Sequence, residues 1–428
     1  MPESTHLVLF EHDRLTIGHR YACTSGGSFL FDARHFDALS RFGARATWKP
    51  FTLGHRSVCF RGFVGTLSVG RLLIEILPKA DRHGRGEGPH VWQATLALML
   101  QEARSSRLEH LSHALFRIHR GSLLDIYIER FLECVERLVH RGLARRYRQL
   151  EGNLSSFRGR LRIAPHIARN CVHAERFFVE YTTYDEQHLL NRIVLAALQV
   201  VRDLPVAADL HGRCRRCLLA FPELERTRIT DRDLEQIRLD RTTAHYAEAL
   251  ELARLLLRHY HPGMGRGDLS VLAILVDMSR LFEDFLGQLC RRIKLPGLQV
   301  VLQRSEPFWT PDHGTTRHLR PDIVLRRPGF HPIVIDAKWK NLPTAGPSIE
   351  DVRQIYAYNQ FLGASHSVLL YPHHGGDPTT ASGAFERHDH RLSTATLRLV
   401  ADARIDRQFV VDQLHALVER VSVPSSAA

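Results

Sequence analysis

The spacing of apolar and polar positions divides the chain into stretches with different periods. Residues from about 1 to 90 carry short apolar runs broken by glycines and so predict a β-rich region. Two such runs are Phe63-Val64-Gly65-Thr66-Leu67 and Leu72-Leu73-Ile74-Glu75-Ile76-Leu77-Pro78-Lys79. Ala80 to His90 is charged and glycine-rich and predicts an exposed loop. From Val91 to Ala144 the period lengthens, and Leu123 to Val139 shows apolar residues at helical three-four spacing. Tyr147 to Glu180 has strand and turn character. Leu189 to Tyr260 reads as mostly helical, broken around Leu204-Pro205. Pro262 to Asp268 is a glycine-rich break, and Leu269 to Ile293 reads as one strongly helical segment. The pattern predicts an α/β chain of α+β multidomain type. Its expected parts are a β-rich region over 1–90, a mainly helical region over 91–262, a carboxy-terminal domain over 263–421 and a disordered tail over 422–428. No internal repeat is present.

The chemistry concentrates in Arg320-Pro321-Asp322-Ile323-Val324-Leu325 and Ile333-Val334-Ile335-Asp336-Ala337-Lys338. Both contain β-branched, apolar runs of strand length, separated by turn residues around Pro328-Gly329. A turn centred near Gly329 places Asp322 opposite Asp336, and strand alternation brings Lys338 to the same face. Two carboxylates and an ammonium would then meet within about 5 to 8 Å. A one-residue shift of the turn would separate them. Hard oxygen ligands of this kind suit Mg²⁺, which takes one or two carboxylates plus water and phosphate oxygens. The lysine could orient or deprotonate an attacking water, or offset charge on a phosphate. Taken singly, an aspartate before a strand is also an ordinary turn residue, and a strand lysine ordinary edge protection.

Pro321-Asp322, thirteen residues and then Asp336-Ala337-Lys338 resembles the signature of the PD-(D/E)XK nucleases. Glu283, within Leu281-Phe282-Glu283-Asp284-Phe285, resembles the helix glutamate that completes their acidic site, although Asp284 could serve instead. Gln354-Ile355-Tyr356-Ala357-Tyr358 is similar to the Gln-x-x-x-Tyr helix of the RecB-like branch, and Gln354 and Tyr358 could equally be packing residues. Ser367 to Pro372 then reads as an apolar strand ending in Tyr-Pro. The ordered series is far more specific than any one piece.

Further motifs narrow the resemblance to the McrC family. They are the two amino-terminal runs, Phe157-Arg158-Gly159-Arg160-Leu161, the pair Arg169-Asn170, Leu190-Asn191-Arg192-Ile193-Val194 and Val276 to Glu283. The resemblance runs from about residue 60 to 372. It implies a carboxy-terminal restriction-endonuclease-like domain, a Mg²⁺-dependent endodeoxyribonuclease with catalytic Asp322, Asp336, Lys338, Glu283, Gln354 and Tyr358, and a metal held by Asp322, Asp336 and Glu283. It further implies modified DNA as substrate, with methylcytosine carried over by analogy. The implied partner is a McrB-type AAA+ GTPase ring, contacted by the amino-terminal region. Two other readings stay open: a stand-alone repair or recombination nuclease of the same fold, and a non-catalytic DNA-clamp adaptor that activates a motor.

Composition agrees with a polyanionic partner: 58 Lys plus Arg against 46 Asp plus Glu give a formal net charge of +12. No Gly-x-x-x-x-Gly-Lys-Ser/Thr occurs, so any NTP-driven motor must be a separate polypeptide. No uninterrupted apolar run is long enough to span a membrane, and Met1 to His6 lacks the order of a secretory signal. Seven scattered cysteines suit a reducing cytoplasm, the expected location. Cys214-Arg215-Arg216-Cys217 supplies only two of the four ligands a zinc site needs. His110, His113 and His119 fall in a basic segment, and His373, His374, His388 and His390 read as surface loop residues near DNA phosphate.

Overall fold

The computed structural model describes residues 5–422 apart from 25, 47, 79–88, 104–121, 174, 226–227, 263–267, 343–345, 374–379, 387 and 402–403. The expected 80–90 loop (nearly all of it), His110, His113, His119, His374, most of the 262–268 break and the tail beyond Ser422 lie outside the described residues. The chain forms two compact units. One comprises Met1–Ile126 with His261–Ala428, the other Tyr127–Tyr260. This differs from the three-part division of the sequence. Residues expected in the amino-terminal, central and carboxy-terminal parts share the first unit.

The reason is a strand placed where a helix was expected. Val271–Asp277 is β-structure, and only Met278–Cys290 is helical. A continuous apolar run such as Val271-Leu272-Ala273-Ile274-Leu275-Val276 has the same composition in a buried strand and a buried helix. Here it pairs antiparallel with Phe63–Val69, which pairs in turn with Leu72–Leu77, itself parallel to Thr5–Phe10. Gly65 makes this pairing possible. Its φ is +129°, and a Cβ there would come within 2.3 Å of the Ile274 carbonyl oxygen. Asp277 then caps the Met278–Cys290 helix by accepting from the Arg280 N–H. A helix over Ala33–Arg45, also unanticipated, buries Ala38, Leu39 and Phe42 in the core around Leu67, Ile74 and Ala273.

The helix Pro89–Glu102 belongs to this unit through buried charge. Glu75, fully buried in its strand, accepts from Gln93 Nε2 at 2.6 Å and from the Leu123 N–H at 3.1 Å. Glu102 meets Arg292 at 2.7 Å and Arg407 at 2.6 Å. A buried carboxylate is tolerable only with such partners.

The same unit holds a six-stranded mixed sheet. Its order is Gln299–Leu302, Ile323–Arg326, Ile333–Ala337, His366–His373, Arg391–Arg398 and Thr380–Ala384. The first three strands are antiparallel neighbours, and the next two run parallel to Ile333–Ala337. The helix Ile349–Leu362 makes the crossover, started by Ser348 and ended by Gly363 at φ +65°. It buries Ile355 and Tyr358 against Val334, Leu369 and Tyr371. Part of the stretch read as loop after His373 is the edge strand Thr380–Ala384, whose small, exposed residues carry no alternating pattern.

The Tyr127–Tyr260 unit combines helices with a small antiparallel sheet, Arg146–Leu154 and Phe177–Asp185 with a short Arg160–Leu161 edge. A helix over Ile163–Asn170 interrupts the strand and turn character read from sequence. The helices Leu189–Asp203, Ala208–Ala220 and Ala247–His259 follow, with the break after Asp203. Asn191 is an internal tie: its amide donates to the Ala144 and Glu186 carbonyls, and Tyr246 donates to it at 2.7 Å. Cys214 and Cys217 lie buried on one face of their helix, and burial pushes both thiols up to about 11.

Candidate active site and metal centre

The hairpin has the register that brings the two aspartates together. Ile323 faces Ile335, Val324 faces Val334 and Leu325 faces Ile333, so one step further sets Asp322 opposite Asp336. The Ala337 N–H donates to Asp322 Oδ2 at 2.9 Å, fixing one carboxylate against the backbone of the other strand. Asp336 is 2 % exposed, so its charge requires a local partner. The Lys338 ammonium supplies it, 2.7 Å from Asp336 Oδ2. Lys338 also donates to Gln354 Oε1 at 3.0 Å and lies 3.4 Å from Asp351 Oδ1.

The crossover helix orients this lysine. Gln354 Nε2 donates to the Tyr358 hydroxyl at 2.8 Å, and Tyr358 donates to the Arg320 carbonyl at 3.2 Å. Lys338, Gln354, Tyr358 and Arg320 are therefore one hydrogen-bonded chain. Asp351 was not anticipated from sequence. It sits three residues after Ser348, where a capping pattern explains it fully, but its side chain also binds Lys340 at 2.6 Å and faces Lys338.

Gln303 is the second residue that sequence reasoning missed. Its amide donates to Glu283 Oε2 at 3.0 Å and to Asp322 Oδ1 at 3.2 Å, linking the helix carboxylate to the hairpin. Its backbone N–H donates to the Asp322 carbonyl at 2.9 Å, and its φ is +49°, in the left-handed region. The only sequence signal is a polar residue closing the run Val300-Val301-Leu302, which many strand ends share. Asp284, the alternative to Glu283, does not enter this network.

The electrostatics follow from crowding acids out of water. Burial, then the nearby Asp336 and Glu283 charges, raise Asp322 to about 7. Burial raises Asp336 as well, with Lys338 opposing. Burial also raises Glu283, with Gln303 opposing and Asp336 adding to the rise. For Lys338 burial disfavours the charge, but Asp336 and Asp351 outweigh it and hold the ammonium above its ordinary range.

Such a site gains from a divalent cation, which would offset the mutual repulsion of the acids. Among the described residues no group of three His, Cys, Asp or Glu side chains is placed to hold a metal ion, so Glu283 does not stand with Asp322 and Asp336 as a third direct ligand. Mg²⁺ does not require one, since it binds through one or two carboxylates and retains water. The all-oxygen donors Asp322 and Asp336, with Glu283 bridged through Gln303, fit that ion. Among the described histidines, His388 bonds the Tyr356 hydroxyl at 2.8 Å and is no part of this centre.

A comparison with curated proteins finds no match. Among solved structures, a chain of the refined half-complex from a tetradecameric assembly of Thermococcus gammatolerans McrB AAA+ hexamers with bound McrC is similar in fold. Its TM-score is 0.68 at 20 % identity, covering 96 % of this chain and 100 % of that one. A chain of the Thermococcus gammatolerans McrBC complex matches with a TM-score of 0.48 at 21 % identity, over 67 % of this chain and 88 % of that one. Among the described residues no helix is long and apolar enough to cross a membrane. The family model for McrBC 5-methylcytosine restriction system components matches residues 58–372, and the chain belongs to that family.

Proposed function

We propose that this member of the McrBC family is the DNA endonuclease subunit of a GTP-dependent, modification-directed restriction complex. In this reading it hydrolyses phosphodiesters of methylcytosine-bearing DNA with Mg²⁺ and stimulates a McrB-type AAA+ GTPase ring. The observation that carries the proposal is the meeting of Asp322, Asp336 and Lys338 on adjacent strands, with Lys338 Nζ 2.7 Å from Asp336 Oδ2. Paired buried acids beside a fixed ammonium lack value in a mere clamp, because like charges repel without a cation between them.

Each residue has a role in this reading. Asp322 and Asp336 would hold the metal, and Glu283, tied to Asp322 through Gln303, would add its charge beside them. When bound, Mg²⁺ supplies electrophilic stabilisation of the charge that builds on the phosphodiester oxygens. Beside carboxylates that carry no cation, Lys338 stays protonated at neutral pH, since they favour the charged form. In this reading it orients the attacking water or the scissile phosphate and offsets negative charge, or takes a proton from that water. Gln354 aims the ammonium, and Tyr358 holds Gln354 against the Arg320 carbonyl. The region 1–90 is proposed as the ring contact, in keeping with the fold it shares with a chain from an assembly of McrB hexamers with bound McrC.

The test mixes the purified chain with a McrB-type AAA+ partner and follows cleavage of methylated and unmethylated plasmid with Mg²⁺, with and without GTP. Cleavage that requires partner, GTP and Asp336 supports the proposal. Cleavage by the chain alone points to a stand-alone nuclease. GTPase stimulation with no cutting leaves an adaptor.

A further inference from the structure

Between Gln303 and Asp322 the chain leaves the six-stranded sheet and returns as a separate two-stranded ribbon. Glu306–Trp309 pairs with Arg317–Leu319, with an irregularity between Pro307 and Trp309. Both ends of the ribbon are tied to the candidate active site. Gln303 binds Glu283 and Asp322 at one end, and Tyr358 binds the Arg320 carbonyl at the other. A two-stranded ribbon has little stability of its own, so its position depends on these anchors.

The ribbon presents an unusual surface. Trp309 is 57 % and Phe308 50 % exposed, and Phe361 of the crossover helix, 47 % exposed, lies 5.9 Å from the Phe308 ring. Three large rings facing water beside one site imply a surface that something covers. Arg317 is the cross-strand neighbour of Trp309, and Arg304, His318 and Arg320 are also exposed. Arg304 pairs with Glu306, whereas Arg317 and Arg320 have no carboxylate within ion-pair distance among the described residues. Rings beside arginine also occur where proteins meet, so composition alone does not choose the occupant. What favours a polyanion with flat bases is that the two guanidinium groups without a carboxylate sit on a ribbon rooted at the candidate nuclease site.

We infer that the Arg304–Arg320 ribbon is a DNA-contact arm. It lies in a groove of duplex DNA flanking the scissile phosphate, a place that a two-stranded β-ribbon fits. Arg317 and Arg320 take backbone phosphates, and Trp309, the cross-strand neighbour of Arg317, packs on a base step or sugar. Because the arm's roots are Gln303 and Asp322, a duplex gripped by it is held beside the two aspartates. This inference rests on the nuclease reading, since it needs DNA at the site.

The test is fluorescence anisotropy of a short labelled duplex titrated with the full-length chain in EDTA, so that nothing is cut. Trp309→Ala is expected to weaken binding about tenfold, and Trp309→Phe to retain most of the affinity. Arg317→Ala is expected to weaken binding and to lower the slope of log affinity against log salt by about one. Melting temperatures of all three variants should match the parent chain, because both side chains are exposed. Equal affinity of the parent, Trp309→Ala and Arg317→Ala overturns the arm and leaves the nuclease reading standing. Absence of duplex binding by the parent chain also overturns the arm. Plasmid cleavage dependent on Asp336 decides the nuclease reading separately.

Discussion

Trp339 donates its indole N–H to the Glu11 carboxylate at 2.6 Å, joining residues 328 positions apart in the chain. Trp339 directly follows Lys338, and its ring packs edge-on against Phe282, the neighbour of Glu283, at 5.1 Å. Glu11 is 1 % exposed and lies next to the Thr5–Phe10 strand. One side chain thus fastens the candidate catalytic strand to the amino-terminal sheet. Trp339→Phe keeps the ring and removes the donor. Hydrogen bonds to buried charged groups contribute about 2 kcal/mol, so a loss of stability of that order is expected in urea denaturation. Unchanged stability would show that the bond carries nothing.

Asp336→Ala removes one proposed metal ligand and the main partner of Lys338. Cleavage in the presence of partner and GTP is expected to fall by at least about a hundredfold, with ring binding retained. Retained cleavage by this variant would sink the assignment.

Gln303→Ala frees Glu283 and Asp322 from each other without touching either carboxylate. Groups that orient ligands typically cost about 10- to 100-fold when removed, and here the loss should appear as a higher Mg²⁺ requirement. A Mg²⁺ titration of cleavage distinguishes this from a loss of fold, because saturating metal should restore much of the activity. A Mg²⁺ requirement equal to that of the parent chain refutes the positioning role.

The pH dependence of stability follows from Asp322, whose pKa rises from 3.8 to about 7 in the fold. A raised carboxyl pKa means that the fold favours the protonated form. That contribution is full below about pH 4 and is lost as pH rises through about 7. In EDTA, Asp322→Asn is therefore expected to be more stable than the parent at pH 8, by at most about 4 kcal/mol, and equally stable at pH 4. Added Mg²⁺ should stabilise the parent at pH 8 and have little effect on the variant. Thermal melts across this range check both signs, and a parent chain indifferent to Mg²⁺ at pH 8 would argue against the metal site.

Gly159→Ala probes the Tyr127–Tyr260 unit. Gly159 has φ +76°, and a Cβ there would lie 2.2 Å from the Glu180 carbonyl oxygen. The substitution should destabilise the sheet formed by Arg160–Leu161 and Phe177–Asp185 by about 1 to 3 kcal/mol. Hydrogen exchange localised to these strands is the readout, and unaltered protection there would contradict the steric argument.

The sequence by itself determined the hairpin. The apolar runs Ile323–Leu325 and Ile333–Ile335 on either side of turn residues around Gly329 mark the two strands, whereas runs without alternation leave the register open, and tertiary pairing chose the one that sets Asp322 opposite Asp336. The i, i+4 spacing likewise placed Gln354 and Tyr358 on one helix face, where they bond. Other features were legible only in three dimensions. Val271–Asp277 became a strand because Phe63–Val69 offered it an edge at Gly65, a long-range choice that a local apolar run does not encode. Gln303, Asp351 and the Glu11–Trp339 bond depend on side chains from separate elements meeting at one place. Local pattern determines which face a residue occupies, whereas tertiary packing decides what stands opposite that face.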